Sequence, residues 1–364
     1  MTITKIKLRN FKCFQDQTFD FDSKIVFIEG QNGSGKTSIL EALYFACYLK
    51  SFRLCSSRDL VHFEENHFFI GIDFASQQSD FTNQIAVGFK DGKKVVRLNQ
   101  QEIRSYKEIV ELYSIISVVE DDLLLVKGYP DVRRLFLDQA LFFDSYDFVN
   151  KLKQYKQVLD NRNAVLKSSS MPNLDILKVW TRQLWELSIV IQKNRMTYLN
   201  LLEQKVNEYL KKYFNETFFI NFEYKSKIKI GSDFDTFWDL YLKSKYQEET
   251  RFSRSVIGAH LDDFIIHYHG NAARFFASRG QQKLILFLIK ISQGLILADK
   301  GKQNIAFLLD DFLTDLDQIV LSKCFFMITE LDFQFFLTCP IKSFSDFQDI
   351  FQKDYQFTPQ IIKI

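Results

Sequence analysis

The sequence predicts an α/β protein: a phosphate-loop mixed sheet with an antiparallel β subdomain, plus a compact helical lobe and no long coiled coil. Three observations carry this. A glycine-rich stretch, Gly30-Gln31-Asn32-Gly33-Ser34-Gly35-Lys36-Thr37, stands between a β-forming apolar run, Lys24–Glu29, and a helix-forming one, Ser38–Ala46. Alternating runs at His67–Phe74, Asn83–Phe89 and Lys94–Leu98, the last two joined through Asp91-Gly92, read as an antiparallel sheet. From Pro130 to about Tyr213 the apolar residues recur at helical spacing.

In chain order, Ile3, Ile6, Leu8, Phe19 and Phe21 bracket a turn around Asn10–Asp16, giving two opening strands. The glycine loop and its helix follow, and the helix ends in the polar stretch Ser56–Asp59. After the antiparallel runs, Ser114–Val119 reads as another strand, and Glu120-Asp121-Asp122 as an acidic helix start. The helical pattern breaks once, at Ser168–Pro172, and neither half sustains heptads. Phe218–Phe222 and Lys227–Ile230 look like a short hairpin, Phe234–Tyr246 like a helix and Ile265–His269 like a strand. His267 and His269 share one face of that strand, with no acid or cysteine at matching spacing, so they read as a plain strand face. This organisation divides the chain into residues 1–128, 129–250 and 251–364: the two parts of a head and the lobe between them.

The chain has 364 residues, 46% of them hydrophobic and 25% charged, with a formal net charge of +2. No global field points to a nucleic-acid partner. The charge is uneven, however: Lys151–Arg254 holds 19 Lys and Arg against 12 Asp and Glu. That surplus fits a solvated helical face as well as it fits a surface for a phosphate backbone. Cys13, Cys47, Cys55, Cys324 and Cys339 are scattered, without a CxxC pair, which speaks against a disulfide framework or a zinc site. The strand-like opening and the lack of an apolar run of about 20 residues predict a cytoplasmic protein without a membrane partner.

The chemistry-bearing motifs share one theme. In the glycine loop, Gly30, Gly33 and Gly35 let backbone N–H groups turn inward toward phosphate oxygens, and the following helix adds its positive end. Lys36 is placed to reach the β- and γ-phosphates, and the Thr37 hydroxyl to ligate Mg²⁺. Gln31, Asn32 and Ser34 complete the cradle. The loop therefore predicts nucleoside triphosphate binding. Asn304–Asp311 reads as a buried strand ending in two acids, where phosphate-loop proteins hold Mg²⁺. Asp310 is the expected metal residue, and Asp311 the one that polarises the attacking water. Ser278-Arg279-Gly280-Gln281 opens a strongly apolar helix, with Ser278 at its N-cap, and offers a second anion site. Leu313-Thr314-Asp315-Leu316-Asp317 follows the acidic strand, and Leu331–Thr338 reads as the next core strand.

In this order, these motifs resemble the set of the ABC-type ATPases. The resemblance implies an ABC-type ATPase head in which Ser278–Gln281 of one subunit faces the γ-phosphate held by another, with Asp315 and Asp317 in the loop between subunits. One copy of each motif then implies an ATP-dependent homodimer. The 241 positions from Thr37 to Ser278 exceed a transporter subunit's insertion and fall far short of SMC-type coiled coils. Within the class, the chain resembles the RecF family over nearly its whole length. The residues that carry the likeness are Lys5–Lys12, Gly30–Leu40, Lys50–Arg53, Lys127–Pro130, Arg133–Asp138, Asn161–Asn163, Gly258–Asp263, Ser278–Lys283 and Leu309–Asp317. It departs at Ala259 (the family's usual Pro), Asp315 (usual Glu) and Glu120 (often Pro), and in Thr338-Cys339-Pro340, which lacks the His of many ABC proteins.

The resemblance implies an ATP-dependent DNA-binding protein of recombinational and replication-gap repair. It also implies RecO and RecR as partners, with RecA loaded indirectly, and gapped, single-stranded and double-stranded DNA as ligands. Its departures, with Asp311 in place of Glu, suggest slow hydrolysis: ATP as a switch, with Lys36 and Asp311 as the catalytic pair. Lys5, Lys7, Arg9, Lys12, Arg53 and Arg58, with the lobe's lysines, are the candidate DNA contacts. The alternatives are a transporter's nucleotide-binding subunit and the RecF-like head of a nuclease or defence complex.

Overall fold

The structure, a computed structural model, describes residues 2–53, 55–76, 79–103, 107–144, 146–168, 172–214, 219–228, 231, 233–302, 304–311, 316–340 and 359–364. In chain order the strands are β1 (Thr2–Phe11), β2 (Phe14–Asp20), β3 (Ile25–Gly30), β4 (His67–Ser76), β5 (Ser79–Lys90), β6 (Lys93–Leu98), β7 (Gln101–Glu102) and β8 (Ser114–Val118). They continue as β9 (Ile220–Lys225), β10 (Asp263–Tyr268), β11 (Asn271–Ala272), β12 (Ile305–Leu309), β13 (Gln334–Pro340) and β14 (Gln360–Lys363).

The chain forms two compact units. One comprises Met1–Leu123, Tyr209–Asn215 and Ser278–Ile364; the other comprises Leu124–Glu208 and Glu216–Ala277. The first unit is the head. Its central sheet runs β14-β3-β13-β12-β8, with all four pairings parallel. Parallel strands covered on both faces read as near-continuous apolar runs, and every residue of β3, β8 and β12 is buried. The ligand-binding edge of such a sheet is its carboxyl end, where both the glycine loop after β3 and the acids after β12 lie.

The head's second sheet, β2-β1-β4-β5-β6-β7, is antiparallel. Ile6 and Leu8 of β1 point into the core while Lys5, Lys7 and Arg9 line the outer face. Asp91 and Gly92 both take positive φ (50° and 80°), which matches the strand twist of a two-residue hairpin between β5 and β6.

The helix Arg279–Asp299 packs in the head. It is long and apolar enough to cross a membrane, but 78% of its most apolar stretch is buried inside the protein. It is a core helix, the strongly apolar one that the sequence places after Ser278.

The second unit contains the helices Pro130–Asp144 and Tyr146–Ser168, the helix Leu174–Tyr213 as far as Glu208, and the sheet β11-β10-β9. The expected local hairpin over Phe218–Phe222 and Lys227–Ile230 falls partly on residues 218, 229 and 230, which lie outside the described residues. β9 pairs with β10 in antiparallel fashion, Tyr224 opposite Phe264. The fully buried Asp262 sits at the end of this pairing: its carboxylate accepts hydrogen bonds from the Lys227 N–H (2.8 Å), the Tyr224 hydroxyl (2.8 Å) and Gln192 Nε2 (3.0 Å). The expected helix over 234–246 is two, Phe234–Ser244 and Tyr246–Phe252.

Several motifs that carry the family resemblance are internal to this lobe. Arg162 and Glu249 form a fully buried ion pair, 2.6 Å from Nη2 to Oε2, and Arg162 also donates to Thr181 and Ser255. Arg133 binds Asp263 through two nitrogens and Arg195 binds Asp138 likewise. Gly258–Asp263 belongs to this network and falls in the second compact unit, whose last residue is Ala277.

Candidate nucleotide site

The loop Gly30–Thr37 closes over its own lysine. Lys36, almost fully buried, donates from Nζ to the carbonyls of Gly30 and Gln31, each at 3.0 Å. Gly35 has φ 109°, and a Cβ there would lie 2.6 Å from Cys13 Sγ and 2.7 Å from Phe14 Cζ. Backbone conformation and space both demand glycine at this position. The Ser34 hydroxyl oxygen is buried without a hydrogen-bond partner among the described residues. An orphaned hydroxyl in a loop of inward-curling backbone suits a phosphate oxygen.

Thr37 is the second residue of the helix Lys36–Tyr48, and its hydroxyl donates to Asp310 Oδ1 at 2.8 Å. The two residues are far apart in sequence and meet because β3 and β12 end at the same edge of the sheet. Two hard oxygen groups converging beside a phosphate loop suit Mg²⁺. Burial pushes the Asp310 carboxyl above the usual range, as does the neighbouring Asp311; the Thr37 and Thr338 hydroxyls and Arg53 oppose the shift.

Thr338, at the end of β13, organises both acids. Its hydroxyl accepts from the Asp311 N–H at 2.8 Å and lies 2.9 Å from Asp310 Oδ1 and 3.4 Å from Asp311 Oδ1. Asp311 takes φ 46°, the left-handed region, which costs a non-glycine residue energy and is found where surrounding structure enforces it. The sequence marked Asp310 and Asp311 but gave Thr338 no role beyond the absence of a histidine nearby.

Ser278 caps the helix Arg279–Asp299. Its hydroxyl accepts from the Gln281 N–H at 3.3 Å, and Gln281 Oε1 accepts from the Ser278 N–H at 2.8 Å, which completes a capping box. Ser278 and Arg279 are exposed and Gly280 half-buried. Arg279 donates to Glu120 Oε1 at 2.7 Å, and the buried Lys283 approaches the other Glu120 oxygen at 3.4 Å. Glu120, which departs from the family pattern, thus braces the start of this helix. Asp317 caps the helix Gln318–Glu330 by accepting from the Val320 N–H at 2.9 Å, while Asp315 lies outside the described residues.

The candidate DNA contacts fall into two groups. Lys5 and Arg9 stand on the outer face of β1, each 3.1 Å from an acid of β2, Asp20 and Asp16 respectively. Lys7 lies between them on that face, and Arg58 is exposed in the turn Ser57–Leu60. Lys12 and Arg53 point elsewhere. Lys12 Nζ is 3.8 Å from Glu41, and Arg53 Nη2 is 3.8 Å from Asp310 Oδ2. The structure thus places Arg53 beside the nucleotide site.

Comparison with known proteins finds relatives over most of the chain. The AAA domain family matches residues 5–255. The DNA replication and repair protein RecF of Clostridium botulinum (strain Eklund 17B / Type B) is 30% identical over 354 residues, 96% of each chain. That of Clostridium acetobutylicum is 29% identical over 93% of each. Among solved structures, the recombination mediator protein RecF with ATP superposes with a TM-score of 0.79 at 25% identity, over 94% of this chain and 92% of that one. The Smc head domain of Pyrococcus furiosus gives 0.55 at 17% identity, over 94% and 91%, a likeness of fold alone.

Proposed function

The chain belongs to the RecF family of DNA repair and replication proteins, and on that premise we propose that it is an ATP-dependent, DNA-binding switch of replication-gap and recombinational repair. The observation that carries the nucleotide half of this reading is the convergence of Lys36, Thr37 and Asp310 at one edge of the parallel sheet. Thr37 and Asp310 would hold Mg²⁺, and Lys36 and the loop N–H groups the phosphates of ATP. The bound nucleotide supplies a transferable γ-phosphoryl and the charge that a second subunit can read.

The chain's own residues do the rest. Asp311, tethered by Thr338, orients and polarises water. As the shorter acid it reaches less far than glutamate, so hydrolysis is slow and serves as a timer. Ser278, Arg279, Gly280 and Gln281 present a capped helix N-terminus to the γ-phosphate held by a second copy, with Asp315 and Asp317 lining the path between subunits. The resulting homodimer holds DNA by its phosphates, without base readout, through the outer face of β1 and the basic lobe. RecO and RecR are its partners, RecA is loaded as a consequence, and the cytoplasm is its compartment.

The test is binding of a gapped duplex and of single-stranded DNA in ATP and in ADP, across a salt series. The proposal expects tighter, salt-sensitive binding in ATP. Binding that is indifferent to nucleotide would contradict it.

A further inference from the structure

Glu41 lies one helical turn beyond Thr37 on the same face of the helix Lys36–Tyr48 and has no exposed surface. A carboxylate that deep is costly unless it is paired and hydrogen-bonded. Its partners come from the two loops flanking the nucleotide site. Oε1 accepts from the Ser51 hydroxyl and from the Cys55 thiol at 3.4 Å, and Oε2 lies 3.8 Å from Lys12 Nζ. The Ser51 hydroxyl, itself buried, accepts in turn from the Arg53 N–H at 2.9 Å. Arg53 reaches Asp310, and Asp310 accepts from Thr37. The chain of contacts runs from the phosphate-loop helix through Glu41, Ser51, Arg53 and Asp310 and closes again on that helix.

We infer that Glu41 is a positioning residue for the nucleotide site: through Ser51 it fixes the backbone at Arg53 and so aims that guanidinium at the metal-binding, γ-phosphate end of the site. The inference rests on the reading of Lys36, Thr37 and Asp310 as an ATP·Mg²⁺ site. Half-exposed on its own, Arg53 has many rotamers to lose, and holding its main chain lowers the cost of placing its charge. Glu41 does this from inside the core, without touching nucleotide. Since Arg53 lies by Asp310 and Thr37, the coupling acts on ATP more than on ADP.

The test is a double-mutant cycle on the full chain. Wild type, Ser51→Ala, Ser51→Thr, Arg53→Ala and the Ser51→Ala/Arg53→Ala pair are titrated with Mg²⁺·ATP and Mg²⁺·ADP. Ser51→Ala is expected to weaken ATP binding about tenfold, with a smaller effect on ADP. Ser51→Thr, which keeps the hydroxyl, stays within about twofold, and the pair is no weaker than Arg53→Ala alone. Glu41→Gln probes the link from its other end; its loss of ATP affinity also vanishes in the Arg53→Ala background. Additive losses, or ATP affinity unchanged in both Ser51→Ala and Glu41→Gln, overturn the inference. Wild-type protein that binds no ATP overturns instead the reading of the site beneath it.

Discussion

Replacing Thr338 by valine keeps the side chain's shape and removes one oxygen. In the structure that oxygen accepts from the Asp311 N–H at 2.8 Å and sits 2.9 Å from Asp310 Oδ1. Thr338 is 5% exposed, so water does not readily replace the hydroxyl. The loss of a hydrogen bond to a carboxylate and the stranding of a backbone N–H together cost about 2–4 kcal/mol. Thr338→Ser keeps the oxygen and should lose less than about 1.5 kcal/mol, the packing of one methyl group. The functional consequence is separate: Asp311 at φ 46° loses its tether, so hydrolysis should fall more in Thr338→Val than ATP binding does. Because Trp180, Trp185 and Trp238 all lie in the lobe, fluorescence does not report on this strand. Hydrogen exchange in Gln334–Cys339 under increasing urea does, together with steady-state hydrolysis. Equal protection and equal turnover in the valine and serine variants would refute the reasoning.

Three further outcomes follow from the same geometry. Gly35→Ala must strain a backbone at φ 109° and displace the buried Phe14 ring. It should cost about 2–4 kcal/mol in head stability and remove measurable ATP binding by calorimetry. Glu249→Ala strands the fully buried Arg162 and should destabilise the lobe by about 3–5 kcal/mol, read as a lowered urea midpoint by tryptophan fluorescence. His260 is pushed down to about 4, chiefly by burial, against which a hydrogen bond to the Ser255 backbone acts, while nearby arginines add to the lowering. The unfolded chain binds its proton near pH 6.5 and the folded one does not, so lobe stability is full above pH 6.5 and falls toward pH 4 by up to about 3 kcal/mol. His260→Asn should flatten that slope in the same fluorescence assay.

Those parts of the fold that short-range chemistry dictates were legible in the sequence. A glycine loop between a strand and a helix has few alternatives, and Asp91-Gly92 admits few turns. The meeting of Thr37 with Asp310 was legible as well, because ligand sites lie at the carboxyl ends of parallel strands. What escaped depended on non-local pairing. β9 pairs with β10, some forty positions away, and Asp262 binds the Lys227 N–H, a bond that no window around residue 227 contains. Arg53 looked like a surface cation for DNA, and only the fold turns it toward Asp310. Thr338 read as one more strand residue, since a hydroxyl has no signature until its partners are known. The grip on Gly258–Asp263 comes from Arg133 and Arg195, more than sixty positions upstream, which no local pattern could reveal.

The central claim is that Gly30–Thr37 is half a site, completed by Ser278–Gln281 of a second copy. Subunit complementation tests it most directly. Lys36→Ala and Ser278→Arg each inactivate both sites of a homodimer. A heterodimer of the two has one doubly damaged site and one intact site, made from the good loop of one subunit and the good capped helix of the other. Mixing the variants in ATP should therefore restore dimers and up to about half of wild-type turnover per dimer, less the share of homodimers in the mixture. If the mixture remains as inactive and monomeric as either variant alone, the site is not shared between subunits and the account fails.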